Sequence, residues 1–417
     1  MLKKFFCSEK NLKKIYKEID KMNDFNIEIS QNVIKIIRDI KKDGDKAIKI
    51  YTKKFDKVNM ENLKVTDKDI KNAYKKIDKK ILPAIKVAIK NVKRFHLIQL
   101  QNLKGFVFEN DGYKIVQKYI PLNSVGIYIP GGQAPLFSTV IMACVPAIVA
   151  KVKRIVITSP PTCNNNINPY ILVTADMLGI KEIYKVGGPM AIAALTYGTE
   201  TIQKVDKVVG PGNIYSTMAK KYVFGSIGID GLNGPSEITI LTDESANPNF
   251  VLLDLLAQAE HINGHSLLIT TNKTVADFIT DYFINNKIDY DVTIIIVKDL
   301  KRGVDLINYK APEHLEIIVR KPEKIINLIK NAPAIFVGNY SAVAFGDYIA
   351  GANHILPTNG TAKFSSALSI FDFIKHTHIV FCEKKALYKY GEKVEKLAEK
   401  EGLLNHKLSI KFRRTFK

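Results

Sequence analysis

Between residues 125 and 229 short apolar runs alternate with helical patterns, and this rhythm constrains the fold more than any other feature of the chain. The runs fall at 125–129, 155–158, 182–186 and 205–209, with helical stretches at 138–150, 170–178 and 190–197 between them. The repeat of roughly 25–30 residues is far too long for hairpins and suits strand–helix–strand crossovers, so the strands belong to a parallel sheet. A second series of apolar runs follows at 238–241, 266–271, 293–297, 316–319 and 334–337. The expected fold is therefore α/β, with two modules built on parallel sheets.

The flanks read differently. Residues 1–50 are polar and helical in pattern, with helices expected at 11–22 and 27–50. Asp67 opens another helical stretch that is interrupted near Pro83 and runs to about Leu100, and 106–119 is strand-like. After Phe373 the chain is basic and helical from Ala386 to Gly402, then closes on a short apolar run at 408–412. The expected division, whose substrate and cofactor sides follow from the resemblance given below, has four parts: a helical N-terminal extension (1–22), a discontinuous substrate-side module (23–122 and 236–372), a cofactor-side module (123–235) and a helical tail (373–417).

Composition narrows the function. With 417 residues the chain is long enough for two or three cores. No apolar run approaches the ~20 residues of a membrane span, and the first residues do not read as a secretory signal. Cys7, Cys144, Cys163 and Cys382 match no metal or disulfide spacing. A cytoplasmic, reducing compartment and no membrane partner are expected. The formal net charge of +21 raises the possibility of nucleic acid. The excess is lysine rather than base-reading arginine, and it is spread along helix faces, so a chain-wide compositional bias explains it and no nucleic-acid partner is expected.

Chemistry concentrates in a few segments. Gly234-Pro235-Ser236-Glu237 is a tight polar loop before a strand. Asn247-Pro248 then reads as an N-cap with proline at the first helical position, and Gly264 lies past the helix end. Asp254, Gln258 and His261 fall on one face of that helix at i, i+4, i+7. Gln258 and His261 can converge on a metal ion; they fit equally a structural helix terminus whose dipole favours histidine. Glycine turns end three strands of the first module: Gly131-Gly132 after Tyr128, Gly187-Gly188, and Gly210-Pro211-Gly212-Asn213. Strand C-terminal ends are where open α/β sheets bind ligands, but no Gly-x-Gly-x-x-Gly is present. Glu313-His314 sets two proton-transfer groups side by side. Asp347 and His354 lie in a Gly-rich loop segment, and Glu401 and His406 in the tail. A Gln, His, Asp and His set is a mixed N/O donor group suited to zinc.

These segments, in this order, resemble histidinol dehydrogenase over almost the whole chain. The resemblance rests on Tyr128-Ile-Pro-Gly-Gly, Gly210-Pro-Gly-Asn, Gly234-Pro-Ser-Glu, Gln258-Ala-Glu-His, Pro312-Glu-His-Leu, Gly346-Asp-Tyr, Asn353-His-Ile-Leu-Pro-Thr and the tail from Glu401 to His406. It implies Rossmann-like modules and four-electron oxidation of L-histidinol to L-histidine through L-histidinal, the final steps of histidine biosynthesis, with NAD as cofactor. It implies one Zn2+ per subunit on Gln258, His261, Asp347 and His406. Glu313 and His314 match the acid/base pair, and His314 with the four metal ligands also borders the substrate. Ser236, His354 and Glu401 match further substrate contacts; Tyr128 and Asn213 match cofactor contacts. The family is a homodimer whose tail completes the partner's site. One departure stands out: Gly187-Gly188-Pro189-Met190 replaces a family Gly-Gly-Ala-Gln, so Met190 occupies a cofactor-contact position without an amide. Asn233, in place of an alanine, is a smaller one. Two other classes fit parts of the pattern: a zinc hydrolase, which needs no NAD, and a basic nucleic-acid binder, whose binding would be salt-sensitive.

Overall fold

The computed structural model describes residues 2–20, 27–131, 136–162, 164–261 and 263–416. Met22, Gly132 and Cys163, all named in the sequence reading, lie outside them. The chain divides into two compact units, Met1–Leu97 with Leu122–Phe373, and Ile98–Pro121 with Ile374–Lys417.

The first unit holds two parallel sheets. In one, the strands run in the order Glu182–Lys185, Arg154–Ser159, Ser124–Tyr128, Lys207–Val209, Gly228–Ile229. Strand order reverses between Ser124–Tyr128 and Lys207–Val209, which opens a crevice at their C-terminal ends. Gly210 closes the second of these strands at φ +117°, and a Cβ there would sit 2.2 Å from the Tyr128 carbonyl oxygen, so only glycine fits. The other sheet has the order Leu2–Phe6, Asp291–Ile296, His265–Thr270, Glu237–Thr242, His314–Ile318, Ala334–Val337, again all parallel. Glu237–Thr242 and His265–Thr270 are buried along their whole length, as central strands covered on both faces must be.

Three parts of the sequence reading are corrected here. Leu2–Phe6 is a strand rather than helix; it pairs in parallel with Asp291–Ile296, a partner no local pattern can show. The helices from Ile27 to Phe55 do not join the substrate-side module. Val33, Ile36, Ile40 and Ile48 pack into one core with Tyr128, Ile192, Leu195 and Met218, covering the 123–235 sheet instead. Residues 98–121 belong with the tail: Tyr113–Pro121 pairs antiparallel with Phe106–Asn110 and with Ile374–Cys382, a strand within the segment read as helical. The helices Lys384–Lys400 and Leu404–Thr415 complete this second unit, and the latter absorbs the 408–412 run. Among the described residues no helix is long and apolar enough to cross a membrane.

Candidate functional site

Within the first unit the reactive side chains gather at the N-terminal edge of the second sheet. Glu237 and His314 each begin a strand, with His314 opposite Ile238 in the register. Ahead of His314 the helix Leu300–Lys310 ends on Ala311 in the left-handed region (φ 53°), an unfavourable conformation for a residue with a Cβ that turns Glu313 into the site. Lys310 at that helix end forms a buried ion pair with the Glu237 carboxylate, tying the helix to the neighbouring strand. The Glu237 backbone then holds both catalytic candidates. Its N–H donates to Glu313 Oε2 at 2.8 Å, and its carbonyl oxygen lies 3.3 Å from His314 Nδ1.

His314 is buried between two carboxylates, with Nδ1 3.4 Å from Glu313 Oε2 and Nε2 3.5 Å from Asp347 Oδ1. Burial opposes a charge on the ring, but Glu313 and Asp347 together outweigh it and push the imidazole up to about 10. Burial raises Glu313 above the usual carboxylate range, against the pull of His314 and the Glu237 N–H. Asp347 lies in Gly346–Ala350, a widened helical turn of π type, a form that recurs at functional sites.

Asn247 caps the helix Pro248–Ala259 through Oδ1 to the N–H of Asn249, as the sequence indicates. The helix closes at Ala259, so His261 lies in the turn beyond it rather than one turn further along. Gly264 makes this turn possible: a Cβ there would sit 2.3 Å from the Gln258 carbonyl oxygen. Gln258 is buried and its Oε1 has no hydrogen-bond partner, whereas His261 is exposed. An orphaned acceptor of this kind calls for a cation or donor from outside the chain. His354 completes the group. Its Nε2 lies 3.1 Å from Ser138 Oγ, and burial lowers its basicity, with the charges of Asp347, His314 and His261 all acting on it. Ser236 is half-buried at the strand entrance, where its carbonyl oxygen accepts the His265 N–H.

The structure thus groups Glu313, His314, Asp347 and His354, with His261 close enough for its charge to act on His354; Gln258 lies just before His261 in the chain, and Ser236 leads into the strand that begins at Glu237. Glu401 and His406 are exposed residues of the second unit, at the end of Lys384–Lys400 and in the first turn of Leu404–Thr415. Among the described residues no three His, Cys, Asp or Glu side chains group closely enough to hold a metal. Gln258, His261 and Asp347 nevertheless offer the mixed N/O donors zinc accepts.

At the C-terminal edge of the first sheet a cavity of about 440 Å³ is lined by Tyr128, Gly131, Gly188, Met190, Asn213 and, from the turn just past the covering helices, Asp56. The Tyr128 hydroxyl accepts the Gly188 N–H at 3.2 Å. Asn213 caps the helix Ile214–Val223 through Oδ1, and its amide NH2 makes no protein hydrogen bond among the described residues. Met190 is buried in the wall. Sequence reasoning missed Lys310 and Asp56, and it singled out Glu237 within its motif without a role; the partners of Lys310 and Glu237 lie far apart in the chain.

The family model described as histidinol dehydrogenase matches residues 20–414. The chain belongs to the histidinol dehydrogenase family. Curated histidinol dehydrogenases include those of Clostridium acetobutylicum, 46% identical with 93% of each chain covered, and Methanocaldococcus jannaschii, 43% identical over 97% of this chain and 98% of the other. The crystal structure of histidinol dehydrogenase from Elizabethkingia anophelis superposes with a TM-score of 0.91 at 36% identity, covering 99% of this chain and 97% of that one. Membership makes the chain an oxidoreductase of histidine biosynthesis that acts on histidinol.

Proposed function

We propose that the chain carries out both oxidations, L-histidinol to L-histidinal and on to L-histidine, with NAD and zinc, as a cytoplasmic homodimer with shared active sites. The observation that carries this reading is His314 held between Glu313 and Asp347, together with a buried Gln258 acceptor that has no partner. Zinc would be held by Gln258, His261 and Asp347, with His406 supplied by the second subunit; when bound, it supplies a Lewis acid that anchors a nitrogen-rich substrate. NAD, when bound in the cavity at Tyr128, Met190 and Asn213, supplies the hydride acceptor for each oxidation.

The remaining steps fall to the protein. With Asp347 engaged by a bound metal, less of its charge would hold a proton on His314, leaving the imidazole able to take the proton of the alcohol while Glu313 stabilises the charge it gains. Glu313, held beside it by the Glu237 N–H, draws a proton from water as that water adds to the aldehyde carbon. Ser236, His354 and Glu401 are suited to orient the substrate's polar groups. The test is nicotinamide absorbance on adding L-histidinol and NAD, with and without chelator. Two equivalents of NADH per histidinol, lost on chelation and restored by zinc, are expected. Histidinol turnover without NADH would overturn the cofactor assignment, and full activity in chelator would overturn the metal.

A further inference from the structure

Beneath the site lies a buried polar contact that the chemistry above does not use. The strand His314–Ile318 presents Glu316 two residues after His314, hence on the same face. Glu316 is 1% exposed. Its Oε1 accepts the Val343 N–H at 3.1 Å, at the start of the turn that runs directly into Gly346–Ala350 and Asp347. Its Oε2 is also buried and receives no hydrogen bond from an N–H or a hydroxyl. The carboxyl of Asp254 lies within hydrogen-bonding reach of Glu316, and Asp254 stands one turn before Gln258 on the helix Pro248–Ala259.

Two touching carboxyls in a poorly solvated place do not both ionise. Burial pushes Asp254 up to about 6, and burial with the neighbouring Asp254 pushes Glu316 up to about 8. One shared proton at neutral pH supplies the donor that a contact between two carboxyls needs. We propose that Asp254 and Glu316 are a positioning pair, a carboxyl–carboxylate tie that fixes the Gln258 helix, the His314 strand and the Asp347 turn against one another. Neither residue touches reacting atoms. The pair acts on the spacing of Gln258 and Asp347, and so rests on the reading of those two as metal ligands.

The experiment uses the metal-free full-length chain and Zn2+ alone, titrated in competition with a chromophoric chelator, with thermal midpoints recorded alongside. Asp254→Asn retains a donor to Glu316 and is expected to bind zinc within about twofold of wild type. Asp254→Leu removes the tie and is expected to lose about 10–100-fold in zinc affinity, the range typical of residues that orient metal ligands, while still unfolding cooperatively. Should Asp254→Leu fail to fold, Glu316→Met reads the same loss from the strand side, with Glu316→Gln as its conservative control. Equal zinc affinity in wild type and Asp254→Leu overturns the pair and leaves the metal reading standing. Equal losses in Asp254→Asn and Asp254→Leu overturn it too, because charge rather than the tie would then matter. No zinc binding by wild type overturns the metal reading and the pair with it.

Discussion

Glu313 and His314 are neighbours in the chain, yet the Glu237 peptide holds them by opposite ends, its N–H on the carboxyl and its carbonyl oxygen near the imidazole. That separation gives each side chain its own duty. Alcohol oxidation needs a base for a hydroxyl proton, so His314→Asn should slow the first oxidation by about 10²–10⁴-fold. Aldehyde oxidation needs water to be activated, so Glu313→Gln should slow the second oxidation more than the first. Separate rates with histidinol and with histidinal measure this, and an undiminished aldehyde rate in Glu313→Gln would reverse the assignment. Met190 is the other residue where the chain speaks for itself. It lines the cavity wall without an amide to offer a cofactor. A hydrogen bond gained there is worth roughly 0.5–1.5 kcal/mol. Met190→Gln should lower the apparent constant for NAD several-fold with little change in the saturated rate; an unchanged constant would mean the contact is made from elsewhere.

At the scale of elements, the central strands were legible because each is a short apolar run closed by a turn. Glu237–Thr242, His265–Thr270 and His314–Ile318 fall within about two residues of their expected places. Two edge strands were not legible. Leu2–Phe6 owes its conformation to residues 291–296, and Ile374–Cys382 owes its own to residues 113–121, partners that only the folded chain supplies. The same holds for the site. Motif order pointed to Glu313, His314 and Asp347, but the ties that hold them, Lys310 to Glu237 and Glu316 to the Val343 N–H, join residues far apart. The Glu316 contact carries a stability consequence with a definite sign. Burial and the neighbouring Asp254 raise its folded-state pKa to about 8 from an ordinary value near 4.5, so the folded chain binds the proton more tightly than the unfolded one. Its contribution is complete below that ordinary value and is lost as pH rises through about 8. Thermal midpoints from pH 5 to 9 should fall more steeply for wild type than for Glu316→Gln, whose amide cannot ionise; parallel slopes would show that Glu316 is not protonated in the fold.

The whole molecule poses the question of the tail. The second unit exposes the large apolar side chains Phe106, Phe108, Leu397, Leu404, Leu408 and Phe412. Its Glu401 and His406 match site residues by family resemblance, and both are exposed. If tails cross between subunits, each active site combines one chain's His261 with the other chain's His406. Mixing a His406→Ala chain with a His261→Ala chain then has a distinctive outcome. In the heterodimer one site carries both substitutions and the other carries neither, so each heterodimer regains one intact site. With random exchange half the dimers are mixed, and about a quarter of the wild-type sites return. If each tail served its own body, every site in every dimer would keep one defect. Native mass spectrometry establishes that heterodimers have formed, and NADH production reads the recovery. No recovery in a mixture containing heterodimers would rule out crossed tails, because every crossed heterodimer must contain one intact site.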